Sequence, residues 1–198
     1  FWKRFAPVLF PLVGNFKDKK YKYKGKEYQM GQHGFARDME FDVLSEVENY
    51  AELVLYSNEE TKENYPFDFE LHISYLLEDN RLSTNWTVVN SGDKELYFSI
   101  GGHPAFMIPE NNAGEQSIDN GSYLLMDDVD TLNYKLIDEN GLAIDDIHRI
   151  DMDDGYLPLS KELFENDALI IEKSGIRNVT LCDHEKVACL SVEFHTPV

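Results

Sequence analysis

Two histidines lie in glycine-containing segments that follow strand-like sequence. His33 belongs to the segment QHGFAR at 32–37, and His103 belongs to GGHPAF at 101–106. Glycine permits tight backbone turns and Pro104 fixes φ after the second histidine, so each loop can aim an imidazole into a cleft. Because histidine titrates near neutrality, a ring held in this way can give and recover a proton. The two loops are therefore the first candidates for acid–base chemistry.

Aromatic residues follow both histidines, and we expect Phe35 and Phe106 to line an apolar wall beside them. Two other interpretations stay open at this point. Both loops can be plain turns whose histidines hydrogen-bond the backbone, since loop residues are only enriched in function. A metal site is the weaker alternative, because the chain has no HxH or HxxxH spacing.

The elements that must position these loops are strands. From Phe67 to Leu77 apolar side chains occupy the odd positions and polar ones most even positions, which predicts a strand with one buried face. A turn at 78–80 leads to a second strand from Leu82 to Val88. Another turn at 90–93 leads to a third from Leu96 to Ile100. Three strands joined by short loops predict an antiparallel meander.

The same alternation predicts further strands along the rest of the chain. They lie at 21–23, 27–30, 39–45, 51–57, 123–126, 133–137, 168–171, 178–182 and 187–194. Only 160–164 resembles a helix, with Ser160 as its N-cap. The sequence therefore predicts an all-β protein, a large sandwich in a single domain over residues 1–198. Because strand-like sequence stands at both ends, we expect that domain to be incomplete at both termini.

The composition of the 198-residue chain excludes several classes of partner. It has 18 Lys+Arg against 37 Asp+Glu, a formal net charge of −19. So acidic a surface repels phosphate backbones, which argues against nucleic acid and anionic membranes. No apolar run reaches the roughly 20 residues of a membrane helix. Cys182 and Cys189 are the only cysteines and form no CxxC pair, so we expect free thiols and a cytoplasmic protein.

Three segments together resemble the aldose 1-epimerases: RFAPVLFP at 4–11, QHGFAR at 32–37 and GGHPAF at 101–106. Asn90 in VNSG and the segment LFEND at 163–167 also fit the LacX-like group of that family. The similarity runs over essentially the whole chain, and the order and distance of the two histidine motifs make it specific. The resemblance implies a galactose mutarotase-like β-supersandwich of antiparallel sheets, with at most one or two short helical turns.

The resemblance also implies an activity, the interconversion of the α and β anomers of a hexose by acid–base ring opening and closure. His103 matches the general acid on the ring oxygen, and His33 matches the second histidine, which binds and polarises that region. Arg4 resembles a ligand of sugar hydroxyls and Asp167 the family's sugar-binding aspartate, with Phe106 beside the substrate. The family's reaction implies no cofactor and no metal. The expected partner is a small-molecule sugar, and a homodimer is compatible with the sequence.

One departure from the family concerns the general base. The family's catalytic glutamate lies on a late strand in a Glu-Pro-Trp-like context, and the sequence contains no such motif. Glu193 is the carboxylate nearest in sequence to the late segment in which the family carries this glutamate. Neither the alternation of its strand nor its motif context assigns it as the base. Because loss of a general base costs ~10²–10⁴-fold in rate, two alternatives stay open. One is a carbohydrate-binding β-sandwich without turnover; the other is a mutarotase for a phosphorylated sugar, with Arg4 and Arg37 supplying local positive charge.

Overall fold

The computed structural model describes residues 5–126, 128–172 and 174–195. The chain divides into two compact units, Phe1–Pro104 and Ala105–Val198. In each unit the strands pair antiparallel, which confirms the predicted all-β class. The single domain expected over 1–198 stays a prediction. Within the described ranges, no helix has the length and apolar character needed to cross a membrane.

The first unit contains a four-stranded sheet in the order β4-β5-β6-β7. A hairpin of β2 and β3 and a short pair formed by β1 and β8 complete its strands. The elements are β1 (Val8–Leu9), β2 (Lys20–Tyr23), β3 (Lys26–Gln29), β4 (Asp42–Val47), β5 (Tyr50–Tyr56), α1 (Glu59–Asn64), β6 (Phe69–Glu78), β7 (Arg81–Asn90) and β8 (Gly101–Gly102). Two 3-10 turns lie at Lys17–Lys19 and Ala36–Asp38.

The core of this unit lies on one face of the sheet. Phe69, Leu71 and Ile73 of β6 are buried, whereas Glu70 and His72 between them are only partly covered. The predicted alternation is therefore confirmed from Phe69 to Ile73, but it is wrong at Leu77, which is exposed. The buried side chains pack with others from β1 and the residue after it, from β5, and from the loops that precede β4 and β6: Val8, Phe10, Met30, Ala36, Leu55, Tyr65 and Phe67.

The third strand of the predicted meander is wrong, because Leu96–Ile100 forms no strand. Ser99 ties this segment to residues 11–13: its N–H donates to the Pro11 carbonyl (3.0 Å), and its Oγ accepts from the Val13 N–H (2.7 Å). Tyr97 and Phe98, at neighbouring positions, are both exposed. The segment therefore lacks both the repeating ladder and the one-sided burial of a strand.

Helix α1 is not among the predicted elements, since the sequence indicates a helix only at 160–164. The side chain of Asn58 accepts from the Thr61 N–H, and Thr61 Oγ1 accepts from the Asn58 N–H, each at 2.9 Å. This capping box starts a helix of six residues, too short to show an apolar period. At the predicted site there is a 3-10 turn, Glu162–Phe164, whose N-cap is Lys161 and not the predicted Ser160. The Ser160 Oγ still accepts the Leu163 N–H at 3.2 Å.

The second unit contains a four-stranded sheet in the order β12-β9-β13-β14 and a separate pair, β10 with β11. Its strands are β9 (Tyr123–Leu125), β10 (Thr131–Tyr134), β11 (His148–Asp151), β12 (Tyr156–Pro158), β13 (Asn178–Cys182) and β14 (Ala188–Glu193). Met126, Leu132 and Leu157 form its buried core. The strand predicted at 168–171 is wrong, because only Ile170 pairs there, in a single bridge with Lys135.

Candidate active site

Both candidate histidines are held by one stretch of main chain, residues 7–14. At its start the Pro7 carbonyl accepts the backbone N–H of His103 at 3.1 Å. The next residues form β1, which pairs antiparallel with Gly101–Gly102 directly before that histidine. Because these bonds are made by the backbone, the His103 loop is fixed in register against 7–9 whatever side chains stand there.

The other end of the same stretch holds His33. The His33 backbone N–H donates to the Gly14 carbonyl at 2.8 Å, and the Gly14 N–H donates to Nδ1 of the imidazole at 3.0 Å. A backbone N–H can only donate, so Nδ1 is an acceptor and carries no proton. The neutral ring therefore bears its hydrogen on Nε2, which makes His33 a hydrogen-bond donor through Nε2.

Gly34 lets the His33 loop approach the same stretch closely. Its φ is +70°, and a Cβ here would overlap the Phe10 carbonyl and lie 2.7 Å from the Pro11 nitrogen. The Phe10 carbonyl in turn accepts the backbone N–H groups of Phe35 and Ala36, both at 3.1 Å. His33 itself has φ +64°, which is uncommon outside glycine. The turn that presents this imidazole thus depends on a glycine directly after it.

A second close approach lies beside His103. A Cβ on Gly102 would lie 2.8 Å from the edge of the Trp86 ring on β7. The bare backbone of Gly102 therefore accommodates the indole, and a side chain there would push the ring or the loop aside. Through this contact the long strand β7 supports the loop that carries the second histidine.

The result is a facing pair of imidazoles. The ring centroids of His33 and His103 lie 6.3 Å apart with an interplanar angle of 61°, in an edge-on arrangement. His103 is exposed and His33 is partly buried. One accessible ring able to exchange protons thus lies beside one ring whose donor atom is set by the backbone.

The electrostatic surroundings keep His33 neutral. Burial lowers its pKa most, and the positive charge of Arg37 and the neighbouring His103 lower it further. Arg37 has only 14% of its side chain exposed. Its Nη2 donates to the Gln32 carbonyl at 2.9 Å, and its Nε lies 3.7 Å from an Asp38 carboxylate oxygen. Because the imidazolium form is disfavoured, His33 is suited to hydrogen bonding as a neutral ring.

Of the remaining predicted site residues, Phe106 and Asp167 lie in the second unit. Phe106 is exposed. Asp167 is exposed as well, has φ +72°, and contributes to a cavity of about 450 Å³ whose other lining residues are apolar. Arg4 lies outside the described residues. Among those that are described, no three His, Cys, Asp or Glu side chains are placed to hold a metal ion.

Gly14 and Arg37 act on His33 in ways that the sequence analysis did not assign. Gly14 acts through its main-chain amide, which has no residue-specific signature. Its φ of +86° is readable only in the structure. Arg37 stands four residues after His33 in the same motif, and that proximity was the one available signal.

The chain is similar to known proteins over most of its length. The family model described as aldose 1-epimerase matches residues 1–192. The plasmid and chromosomal LacX proteins of Lactococcus lactis subsp. lactis are each 30% identical to the chain, over 98% of its length and 67% of theirs.

Solved structures give the same result for the fold. A galactose mutarotase related enzyme from Lactobacillus acidophilus is 37% identical with a TM-score of 0.82, covering 91% of this chain and 59% of that one. A galactose mutarotase-like protein from Lactobacillus casei ATCC 334 is 31% identical with a TM-score of 0.82, covering 93% and 63%. The chain thus spans about three-fifths of the length of these structures, and the expected galactose mutarotase-like fold is confirmed. It belongs to the aldose 1-epimerase family.

Proposed function

We propose that the protein interconverts the α and β anomers of a hexose, with His103 as general acid and His33 as hydrogen-bond donor. The observation that carries this proposal is the facing imidazole pair, 6.3 Å between ring centroids, in which backbone bonds position both loops. In this proposal Arg4, Asp167 and Phe106 contact the sugar, as their family counterparts imply.

The proposed reaction opens and closes the sugar ring through two coupled proton transfers. A carboxylate base takes the proton of the C1 hydroxyl while His103 gives a proton to the ring oxygen, and the bond between C1 and the ring oxygen breaks. The open-chain aldehyde rotates about C1–C2, and the same steps in reverse close the ring on the other face. Nε2–H of His33 hydrogen-bonds the ring oxygen region and stabilises the charge that develops there.

The proposal assigns the base to no residue of this chain, because the 198 residues contain no Glu-Pro-Trp-like motif. This is the reason to test turnover before any other property. Exchange NMR on the anomeric protons of galactose and glucose at neutral pH measures it directly. We expect cross-peaks between the α and β signals that grow with protein concentration above the buffer rate. Their absence at saturating sugar contradicts the proposal.

Non-catalytic carbohydrate binding is the alternative that the same experiment separates. Broadening or saturation transfer on the sugar signals without exchange cross-peaks indicates a binding site that lacks its base. Line widths in the presence of His33→Asn supply the control, because that variant removes the Nε2 donor on which binding depends.

A phosphorylated hexose is a second candidate substrate, favoured by the guanidinium of Arg37. This group is mostly buried, and its charge reaches His33 strongly enough to lower the pKa of that ring. A fixed cation beside the site attracts an anionic substrate despite the acidic chain as a whole. If the preference is real, hexose 6-phosphate exchanges faster than free hexose, and Arg37→Gln removes the difference.

We also propose a cytoplasmic location. Cys182 is buried and Cys189 is exposed, and neither forms a disulfide in the structure. An exposed free thiol fits a reducing compartment.

A further inference from the structure

One edge of residues 7–14 bonds to the segment that leads to His103, and the other edge bonds to the loop at 33–36. On the first edge one antiparallel register joins three pairs: Pro7 with His103, Leu9 with Gly101, and Pro11 with Ser99. On the second edge the Phe10 and Gly14 carbonyls accept N–H groups of the other loop at 2.8 to 3.1 Å. A residue that fixes this stretch from the first edge therefore also affects the loop on the second edge.

Ser99 makes the last contact on the first edge, and it uses its side chain. Its N–H donates to the Pro11 carbonyl at 3.0 Å, and its Oγ accepts the Val13 N–H at 2.7 Å. The register would next bring Tyr97 opposite Val13. The Tyr97 carbonyl instead accepts the Tyr65 hydroxyl at 2.9 Å. The Ser99 hydroxyl thus takes the place of a main-chain acceptor for the Val13 amide.

Val13 directly precedes Gly14, whose N–H donates to Nδ1 of His33 at 3.0 Å. Gly14 has φ +86°, and a glycine has no side chain of its own to hold it in place. Val13, in contrast, is held twice: by the Ser99 hydroxyl and by its packing on Gly101, where a Cβ would lie 3.3 Å from Val13 Cγ2. The direction of the Gly14 N–H therefore depends on how Val13 is held.

We propose that Ser99 is a positioning residue for His33. Its hydroxyl holds residue 13, and the next amide, that of Gly14, then points at Nδ1 of the imidazole. When the Val13 N–H loses this acceptor, the loop can turn to satisfy it elsewhere, and Nδ1 is no longer kept as an acceptor. The effect of Ser99 on anomer exchange rests on the proposed function, whereas its effect on the tautomer does not.

Long-range ¹H–¹⁵N correlation spectra of His33 test the proposal without any sugar. In Ser99→Ala the Nδ1 signal should move from that of an unprotonated nitrogen toward that of a protonated one. The loss of one neutral hydrogen bond changes a local equilibrium by about threefold to tenfold. Ser99→Thr keeps a hydroxyl and should restore the wild-type signal. Ser57→Ala is the matched control, because Ser57 Oγ accepts the Phe69 N–H at 3.2 Å, a bond of the same kind outside residues 7–14.

Anomer exchange provides the second measurement. We expect the rate to fall by about threefold to tenfold in Ser99→Ala and to return to within about twofold of wild type in Ser99→Thr. The inference is overturned if Ser99→Ala leaves the Nδ1 signal of His33 unchanged, or if Ser57→Ala moves it equally. Should Ser99→Ala not fold, Ser99→Cys replaces it, since a thiol of similar size is only a weak acceptor. A wild type without anomer exchange contradicts the proposed function alone, because the tautomer is measured independently.

Discussion

The backbone N–H of Gly14 points at Nδ1 of His33 across 3.0 Å and thereby decides which nitrogen of that imidazole bears a proton. A carboxylate or a backbone carbonyl that accepts from one ring nitrogen often sets the tautomer of a functional histidine. Here a main-chain amide does so, and it cannot switch from donor to acceptor when the pH changes. The protonated ring would place two donors against each other, which agrees with the direction in which burial and Arg37 shift the pKa.

The first prediction concerns this tautomer. Long-range ¹H–¹⁵N correlation spectra at pH 7.5 should show His33 with an unprotonated Nδ1 and a protonated Nε2. The His33→Gln variant assigns the signal by its disappearance. A spectrum with the proton on Nδ1 would contradict the contact with Gly14.

The second prediction is a stability difference that depends on pH. The pKa of His33 is lower in the folded chain than its ordinary value near 6.5, so the unfolded chain binds the proton first as the pH falls. The stability contributed by neutral His33 is therefore present above pH 6.5 and is lost as the pH falls through the folded pKa. Urea unfolding at pH 8 and pH 5 should show a larger loss for the wild type than for His33→Gln. Equal losses would show that His33 keeps its ordinary pKa.

A third prediction tests the close approach at Gly34. Gly34→Ala should destabilise the fold by about 2–3 kcal/mol, because it combines a positive φ with overlap on the Phe10 carbonyl. Gly25→Ala is the matched control, since its φ of +82° is similar but no atom lies within 4 Å of its Cβ position. Chemical unfolding of the two variants separates overlap from backbone strain. Equal costs would mean that strain alone is measured.

The fourth prediction separates the two histidines by function. His103→Asn should remove most anomer exchange, ~10²–10⁴-fold, while sugar affinity stays within about tenfold. His33→Asn should weaken both affinity and rate. Exchange NMR and sugar titrations measure the two effects.

His148→Asn is the control for removing an imidazole outside the candidate site. His148 stacks on Tyr134 in the β10–β11 pair of the second unit. Full exchange in His103→Asn would refute its role as acid. An unchanged His33→Asn would mean that this ring has only a structural role.

The local sequence pattern was sufficient to predict a strand where one face of that strand is buried. β6 alternates from Phe69 to Ile73, where the side chains that the pattern placed inside are buried, whereas Leu77 further along the strand is exposed. The pattern failed at 96–100, where apolar residues occur without strand pairing because tertiary contacts through Ser99 fix the chain instead. It also failed at α1, which is specified by the reciprocal cap of Asn58 and Thr61 and not by periodicity.

The two loops of the candidate site could be predicted from the sequence, but the contacts that position their histidines could not. Glycine next to histidine signalled that each backbone turns sharply, and the structure explains the need at Gly34 and Gly102 by close contacts with Phe10 and Trp86. Neither contact is visible in the sequence, because both partners are far away along the chain. The same holds for Gly14, whose contribution comes from a group that every residue except proline possesses.

Since residues 7–14 bond to both histidine loops, a small displacement of this stretch of main chain carries the two imidazoles in the same direction. Thermal motion of the strand is then largely common to both rings and changes their mutual distance little. The two imidazoles can therefore keep their mutual distance when residues 7–14 are displaced.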